Sequence, residues 1–134
     1  FGWNEDLVKS YRGKTNDKLE TMSKYKFSIC FENMKSSFGY ITEKIFDCFF
    51  SGCVPIYYGA DDIANYIPEN SFIDYRKFTN FKALDEYLIN MSKNEYELYL
   101  ENAIRYLEGI SFEDTFSVNA YVSRMVEAIT KWKE

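Results

Sequence analysis

A glutamate and a lysine, Glu43 and Lys44, open a predicted helix shortly after a Glu32-Asn33 pair, within the segment YKFSICFENMKSSFGYITEKIFDCFFSGCVPIYYG at 25–59. A lysine in the first turn of a helix opposes the positive end of the macrodipole. The arrangement makes chemical sense if an anion sits there, because helix N-termini offer unpaired N–H groups to phosphates. Glu43 could accept hydrogen bonds from vicinal hydroxyls, as on a ribose. Tyr40 could orient a phosphate or stack on a ring, and Lys44 with the helix end could hold a diphosphate. Together these groups suit a nucleotide-sugar. Each also has a plainer reading. Glu43 can be a helix former, Lys44 a solvated cation, Glu32 a partner of Lys44 or a turn cap, and Tyr40 an aromatic at the core edge. The residues by themselves say only "anion site in an α/β domain", since the chain holds neither a P-loop nor G-x-G-x-x-G.

The flanking segments must place these groups. Residues 25–31 (YKFSICF) read as a strand with Tyr25, Phe27, Ile29 and Phe31 on one face, the other face becoming buried at Cys30. Glu32-Asn33 ends it, and the Ser- and Gly-containing loop 34–40 follows. Thr42 is the expected N-cap of a helix to about Ser51, with Ile45, Phe46, Phe49 and Phe50 as its apolar stripe and Gly52 as its stop. Residues 54–58 form a second strand, and Pro55 near its start argues against a long central strand. Strand, helix and strand in this order make a βαβ unit with parallel strands. Ligands of open parallel sheets bind at the carboxyl ends of the strands, where Glu32-Asn33 and Gly59 fall.

Further along, 61–67 read as a short helix with Asp61 or Asp62 as N-cap, and 71–75 as a third strand. A helix follows at about 80–91, with Phe81, Leu84, Leu88 and Met91 on one face. Ser92 and Glu95 form a capping box for the next helix, which aligns Tyr96, Tyr99, Leu100, Ala103 and Leu107 and stops at Gly109. Ser111 is the expected cap of a last helix whose stripe is Val118, Tyr121, Val122, Met125, Val126, Ile129 and Trp132, with Lys131 and Lys133 at its C-terminal end. Residues 1–24 are a poorly defined lead-in. Leu7, Val8 and Tyr11 suggest a helical turn, Arg12-Gly13-Lys14 a break, and 17–24 a short helix. The fold class is α/β: a Rossmann-like parallel sheet with flanking helices, ending in a helical segment.

Composition narrows the function classes. The 134 residues fit one domain. A net charge of −5 disfavours a nucleic-acid partner. No histidine is present, which disfavours zinc and leaves acid–base chemistry to carboxylates, Lys or Tyr. Cys30, Cys48 and Cys53 lie in apolar runs without a C-x-x-C, the pattern of buried reduced thiols, and they point to a cytoplasmic setting. No apolar stretch is long enough to span a bilayer. The start at Phe1-Gly2-Trp3 reads as a fragment of a longer protein.

YKFSICFEN, then GYITEKIFDCFFSGCVPIYYG, then PENSFIDYRKF resemble the ordered signature of the α-1,3/1,4-fucosyltransferases, glycosyltransferase family ten, over about residues 17–91. The resemblance implies a GT-B enzyme of two Rossmann-like domains, of which residues 1–134 are the C-terminal, donor-binding one. It implies that Tyr40, Glu43 and Lys44 serve the donor sugar or phosphate, the ribose hydroxyls and the diphosphate of GDP-fucose, with Glu32 and Asn33 at the same cleft. It implies inverting transfer of fucose to a glycan hydroxyl without a metal or other cofactor. The general base belongs to an N-terminal domain that this chain lacks, so no catalytic residue is assigned here and the isolated chain is expected to be inactive. The diphosphate-contacting arginine of the family lies upstream of the matched region, and Arg12 is not given that role. The context expected from the lack of luminal features is synthesis of bacterial surface polysaccharide or lipopolysaccharide, or protein glycosylation, in the cytoplasm or at the inner face of a bacterial membrane. Two other readings stay open: a GT-B donor domain for a different nucleotide-sugar, and a non-catalytic α/β module that binds an anion or a protein.

Overall fold

The structure is a computed structural model that describes residues 10–34 and 36–131. Leu7, Val8, Trp132 and Lys133 lie outside the described residues, and Tyr11 is not helical. Gly13, at φ +90°, makes the expected break before helix α1 (Lys18–Met22), which Asp17 caps by accepting from Glu20 N.

Among the described residues, three parallel strands form the sheet in the order β1 (Phe27–Phe31), β2 (Val54–Tyr58), β3 (Ile73–Asp74). β2 is central despite Pro55. Its pairing with β3 begins only at Ile56–Ile73, so the missing N–H has no ladder partner to lose there. β1 lies at the edge of the sheet, which explains a departure from its alternation pattern: Phe27 and Phe31 pack, whereas Ile29 is 62% exposed.

Helix α2 (Glu43–Phe50) connects β1 to β2. It buries Ile45, Cys48 and Phe49, while Phe50 stays exposed, so the buried stripe is rotated towards Cys48 relative to the expected one. Gly52, at φ +70°, follows the C-cap Ser51 and lets the chain turn into β2. The 61–67 segment is a short 3-10 turn, Ile63–Asn65, rather than an α-helix. Helices α3 (Phe81–Asn90) and α4 (Lys93–Leu107) follow, capped by Asn80 and Ser92. Only one half of the predicted capping box forms in the expected way. Ser92 Oγ accepts from Glu95 N, but the Glu95 carboxylate accepts from Tyr87 Oη at 2.6 Å.

The sheet is the middle of three layers. On one face Cys30, Ile45, Phe49, Tyr57, Phe72 and Tyr106 pack together; on the other, Val54, Ile56, Ile73 and Leu84. α4 reaches both clusters, the first with Ala103 and Tyr106, the second with Tyr96, Tyr99 and Leu100.

The C-terminal helix differs from expectation. It is two helices, α5 (Ile110–Phe116) and α6 (Val118–Lys131), and Ser111 does not cap either. Ser117 adopts an extended conformation between them, and its Oγ accepts from Ala120 N, so a serine N-cap competes with helix continuation. α5 turns Phe112 and Phe116 onto Phe46. The apolar stripe of α6, from Val118 to Ile129, is 46–77% exposed.

Candidate functional site

The carboxyl ends of β1 and β2 lie side by side, and the start of α2 stands over them. Glu32 N donates to Tyr58 O at 2.8 Å, which continues the ladder by one residue and fixes the Glu32 backbone. Its side chain is completely buried. Glu32 Oε1 accepts from Thr42 N at 2.9 Å, and both carboxylate oxygens lie within 2.9 Å of Thr42 Oγ1. The carboxylate thus sits against the N-terminus of α2, where a negative charge is favoured. Thr42 is the N-cap, as expected, through a long 3.5 Å contact from Lys44 N.

Lys44 folds back over this carboxylate. Its Nζ donates to Phe31 O at 2.9 Å and to Asn33 Oδ1 at 3.2 Å, and pairs with Glu32 Oε2 at 3.3 Å. An ammonium has three N–H groups, and three acceptors surround this one. The lysine side chain remains 29% exposed, so its solvent side can exchange a partner. The anion that its position calls for is supplied by the protein itself in this conformation. The plain reading of Glu32 as a partner of Lys44 and a support of the turn therefore describes its contacts.

Gly59 makes this packing possible. A Cβ there would lie 2.5 Å from Glu32 Cγ and 2.5 Å from Tyr57 Oη, closer than atoms approach. Tyr57 Oη in turn accepts from Ala60 N at 3.0 Å. Burial pushes the Tyr57 phenol up to about 12, so the ring is a neutral support rather than a base.

Glu32, Asn33, Thr42 and Lys44 are thus brought together. Glu43 is exposed and points elsewhere in charge terms. With Asp47 it faces Lys18, whose pKa is raised chiefly by its hydrogen bond to Asp47 and in smaller part by the Glu43 charge. Tyr40 is half-buried, on the turn that precedes Thr42.

Asp61 and Asp62 were expected as helix caps. Asp62 does precede the 3-10 turn but makes no side-chain cap; its Oδ1 accepts instead from Gly39 N at 2.8 Å. Arg76, which sequence reasoning passed over, clamps Asp74 through Nε and Nη2 at 2.8–3.0 Å and donates from Nη1 to Ala60 O at 3.3 Å. A D-x-R spacing at the end of a strand was the only signal for it.

The three cysteines are buried free thiols. A hydrogen bond to Cys48 and burial push the Cys30 thiol far up, and burial pushes Cys53 up to about 12. Cys48 is shifted the other way, down, chiefly by its hydrogen bond with Cys30; since all three thiols are buried, they serve as packing groups. Among the described residues, no group of three or more His, Cys, Asp or Glu is placed to hold a metal ion, and no helix is long and apolar enough to cross a membrane. The larger concavities lie elsewhere, one of about 450 Å³ beside Asn70, Glu95 and Tyr99. Another, of about 500 Å³, is lined by Glu113, Asp114 and Arg124 between α5 and α6; neither lies at the strand ends, so the site is marked by its hydrogen-bond network rather than by volume.

The family model for the C-terminal part of glycosyltransferase family 10 (fucosyltransferase) matches residues 3–128. The chain belongs to this family. An α-(1,3)-fucosyltransferase of Helicobacter pylori is 37% identical over 99 residues, which is 72% of this chain and 20% of that protein. The mouse 4-galactosyl-N-acetylglucosaminide 3-α-L-fucosyltransferase 9 is 40% identical over 89 residues, 63% of this chain and 24% of that protein. A crystal structure of an α1,3-fucosyltransferase with GDP-fucose superposes with a TM-score of 0.61 at 31% identity, covering 83% of this chain and 39% of that one. The chain therefore spans about a fifth to two-fifths of the family members it matches.

Proposed function

We propose that residues 1–134 are the donor-binding domain of an inverting fucosyltransferase, which transfers fucose from GDP-fucose to a hydroxyl of an acceptor glycan. The observation that carries this reading is the Glu32–Thr42–Lys44 network at the carboxyl ends of two adjacent parallel strands. It uses the same residues that carry the family signature. Family membership and the likeness to a GDP-fucose complex support the donor.

In this mechanism Glu32 acts from behind the site. It neutralises part of the Lys44 charge, fixes Thr42 and leaves the ammonium facing solvent. Phosphate oxygens take the place of Asn33 Oδ1 on Lys44, because that partner is exposed and the least costly to replace. Glu43, at the exposed start of α2, receives the ribose hydroxyls, and Tyr40 borders the sugar or phosphate. The acceptor oxygen attacks the anomeric carbon of fucose as the bond from that carbon to the β-phosphate oxygen breaks. The electron pair leaves with GDP, and the acceptor proton passes to a base outside this chain. Lys44 and the N-terminus of α2 stabilise the charge that builds on the diphosphate. The acceptor is held by a second domain that closes the cleft, so this chain alone binds donor without transferring it.

Calorimetric titration of the folded chain with GDP, UDP and ADP tests the reading. GDP is expected to bind in preference to the others, weakly in the absence of the second domain. A clear preference for UDP would point to another nucleotide-sugar, and no heat at millimolar GDP would contradict a donor site altogether.

A further inference from the structure

We infer that Asp62 is a positioning residue for donor binding: it holds the turn that carries Tyr40. The inference rests on the donor reading above and adds to it a residue that contacts no part of the donor. Asp62 occupies the N-cap position of the 3-10 turn Ile63–Asn65 yet makes no cap with its side chain. Its Oδ1 accepts instead from Gly39 N at 2.8 Å, across 23 residues of sequence. The 2.8 Å distance is that of a well-formed N–H···O hydrogen bond.

Three residues further on, Thr42 N donates to Glu32 Oε1 at 2.9 Å. The backbone on either side of Tyr40 is therefore tied down by a carboxylate, Asp62 before it and Glu32 after it. Between them Ile41 N donates to Gly39 O at 3.0 Å, and Gly39 sits at φ +67°, a conformation that glycine adopts without penalty. Ile41 packs on the core after the turn, whereas before it Phe38 is 80% exposed, so on that side the hydrogen bond to Asp62 is the link from Gly39 to the 60–62 segment.

The anchor itself is firm. Arg76 is clamped on Asp74 at the end of β3, and its Nη1 reaches Ala60 O at 3.3 Å and Asp61 O at 3.4 Å. The segment that carries Asp62 is thereby tied to the sheet. The path runs from β3 through Arg76 to residues 60–62, and through Asp62 to Gly39 and Tyr40.

The test compares the full chain with Asp62→Ala and Asp62→Asn, and uses Lys44→Ala as the control for the site. GDP affinity is measured by calorimetry and exchange of the Gly39 amide by NMR. Asp62→Ala is expected to weaken GDP about tenfold and to speed Gly39 exchange by a similar factor, as befits one lost hydrogen bond. Asp62→Asn keeps an acceptor oxygen and should restore both to within about twofold of the unmodified chain. Lys44→Ala should weaken GDP while leaving Gly39 protected. The inference is overturned if Asp62→Ala exposes Gly39 but binds GDP normally, if Gly39 protection does not change, or if Asp62→Asn behaves like Asp62→Ala, which would make the charge the relevant property. If the unmodified chain binds no GDP, the donor reading fails and takes the inference with it, whereas the Gly39 exchange still shows whether Asp62 holds the turn.

Discussion

At the start of α2, Lys44 is surrounded by acceptors and Glu32 by donors, all from within the chain. Along α6, six apolar side chains from Val118 to Ile129 face outwards, half exposed or more for most of them. Both regions have a distinct sequence pattern, charge at a helix start in one and a periodic stripe in the other. In the first, neighbouring strands bring partners from three segments to one point. In the second, Ser117 breaks the helix, so that Phe112 and Phe116 enter the core and the stripe beyond them does not. A pattern states which face wants a partner; the topology decides whether the chain supplies one.

The sharpest way to break the comparison is to crowd the first region. Gly59→Ala places a Cβ 2.5 Å from both Glu32 Cγ and Tyr57 Oη, neither of which is the loose end of a mobile side chain. Urea denaturation should show a loss of about 3 kcal/mol or more. Unchanged stability would mean that the strand ends are far more yielding than their packing indicates.

Next in size, Glu32→Ala should cost about 2–3 kcal/mol, since it removes the acceptor of Thr42 N and leaves Lys44 over a desolvated site. The partial exposure of Lys44 keeps the figure below that of a fully buried pair. Chemical denaturation gives the stability, and GDP titration should show binding lost along with it.

The second region is probed by a pair of substitutions in the described chain. Phe116→Ala removes a ring packed 4.7 Å from Phe46 and is expected to cost about 2 kcal/mol or more. Val122→Lys, on the exposed stripe, should alter stability by less than about 0.5 kcal/mol. Thermal melts that ranked them the other way would show that α6 packs within the chain after all.

The smallest effect is expected at Tyr106. Its hydroxyl is buried without a hydrogen-bond partner among the described residues, so Tyr106→Phe should be neutral or stabilise by up to about 1 kcal/mol. Its pKa is pushed up to about 12 by burial, as is that of Tyr57, against 10 for an ordinary tyrosine. The raised folded value means that the unfolded chain releases these protons first. Stability contributed by the neutral phenols is complete below pH 10 and is lost as pH rises through 12. Denaturation midpoints measured from pH 9 to 12 should fall, and less steeply for the Phe variant.

Much of the fold was legible from local chemistry. Thr42 and Ser92 announced helix starts, Gly52 marked the end of α2, and the runs read at 25–31 and 54–58 supplied adjacent parallel strands. The exposure of Ile29 was not legible, because edge position depends on strand order. The site was half legible. Lys44 and Glu32 were singled out, but not the way the Glu32 carboxylate ties Thr42 and Lys44 together at the helix start. Asp61 or Asp62 was expected as a cap, because the contact of Asp62 with Gly39 reaches across α2 and β2. Long-range hydrogen bonds of this kind leave no periodic trace in a sequence.

The most direct test of the donor site is a map of amide NMR shifts as the chain is titrated with GDP. Shifts confined to residues 32–44 and 59–62, and abolished by Lys44→Ala, are the predicted result. Shifts centred on the concavity beside Asn70, Glu95 and Tyr99, or a pattern indifferent to Lys44, would contradict a donor site at the ends of β1 and β2.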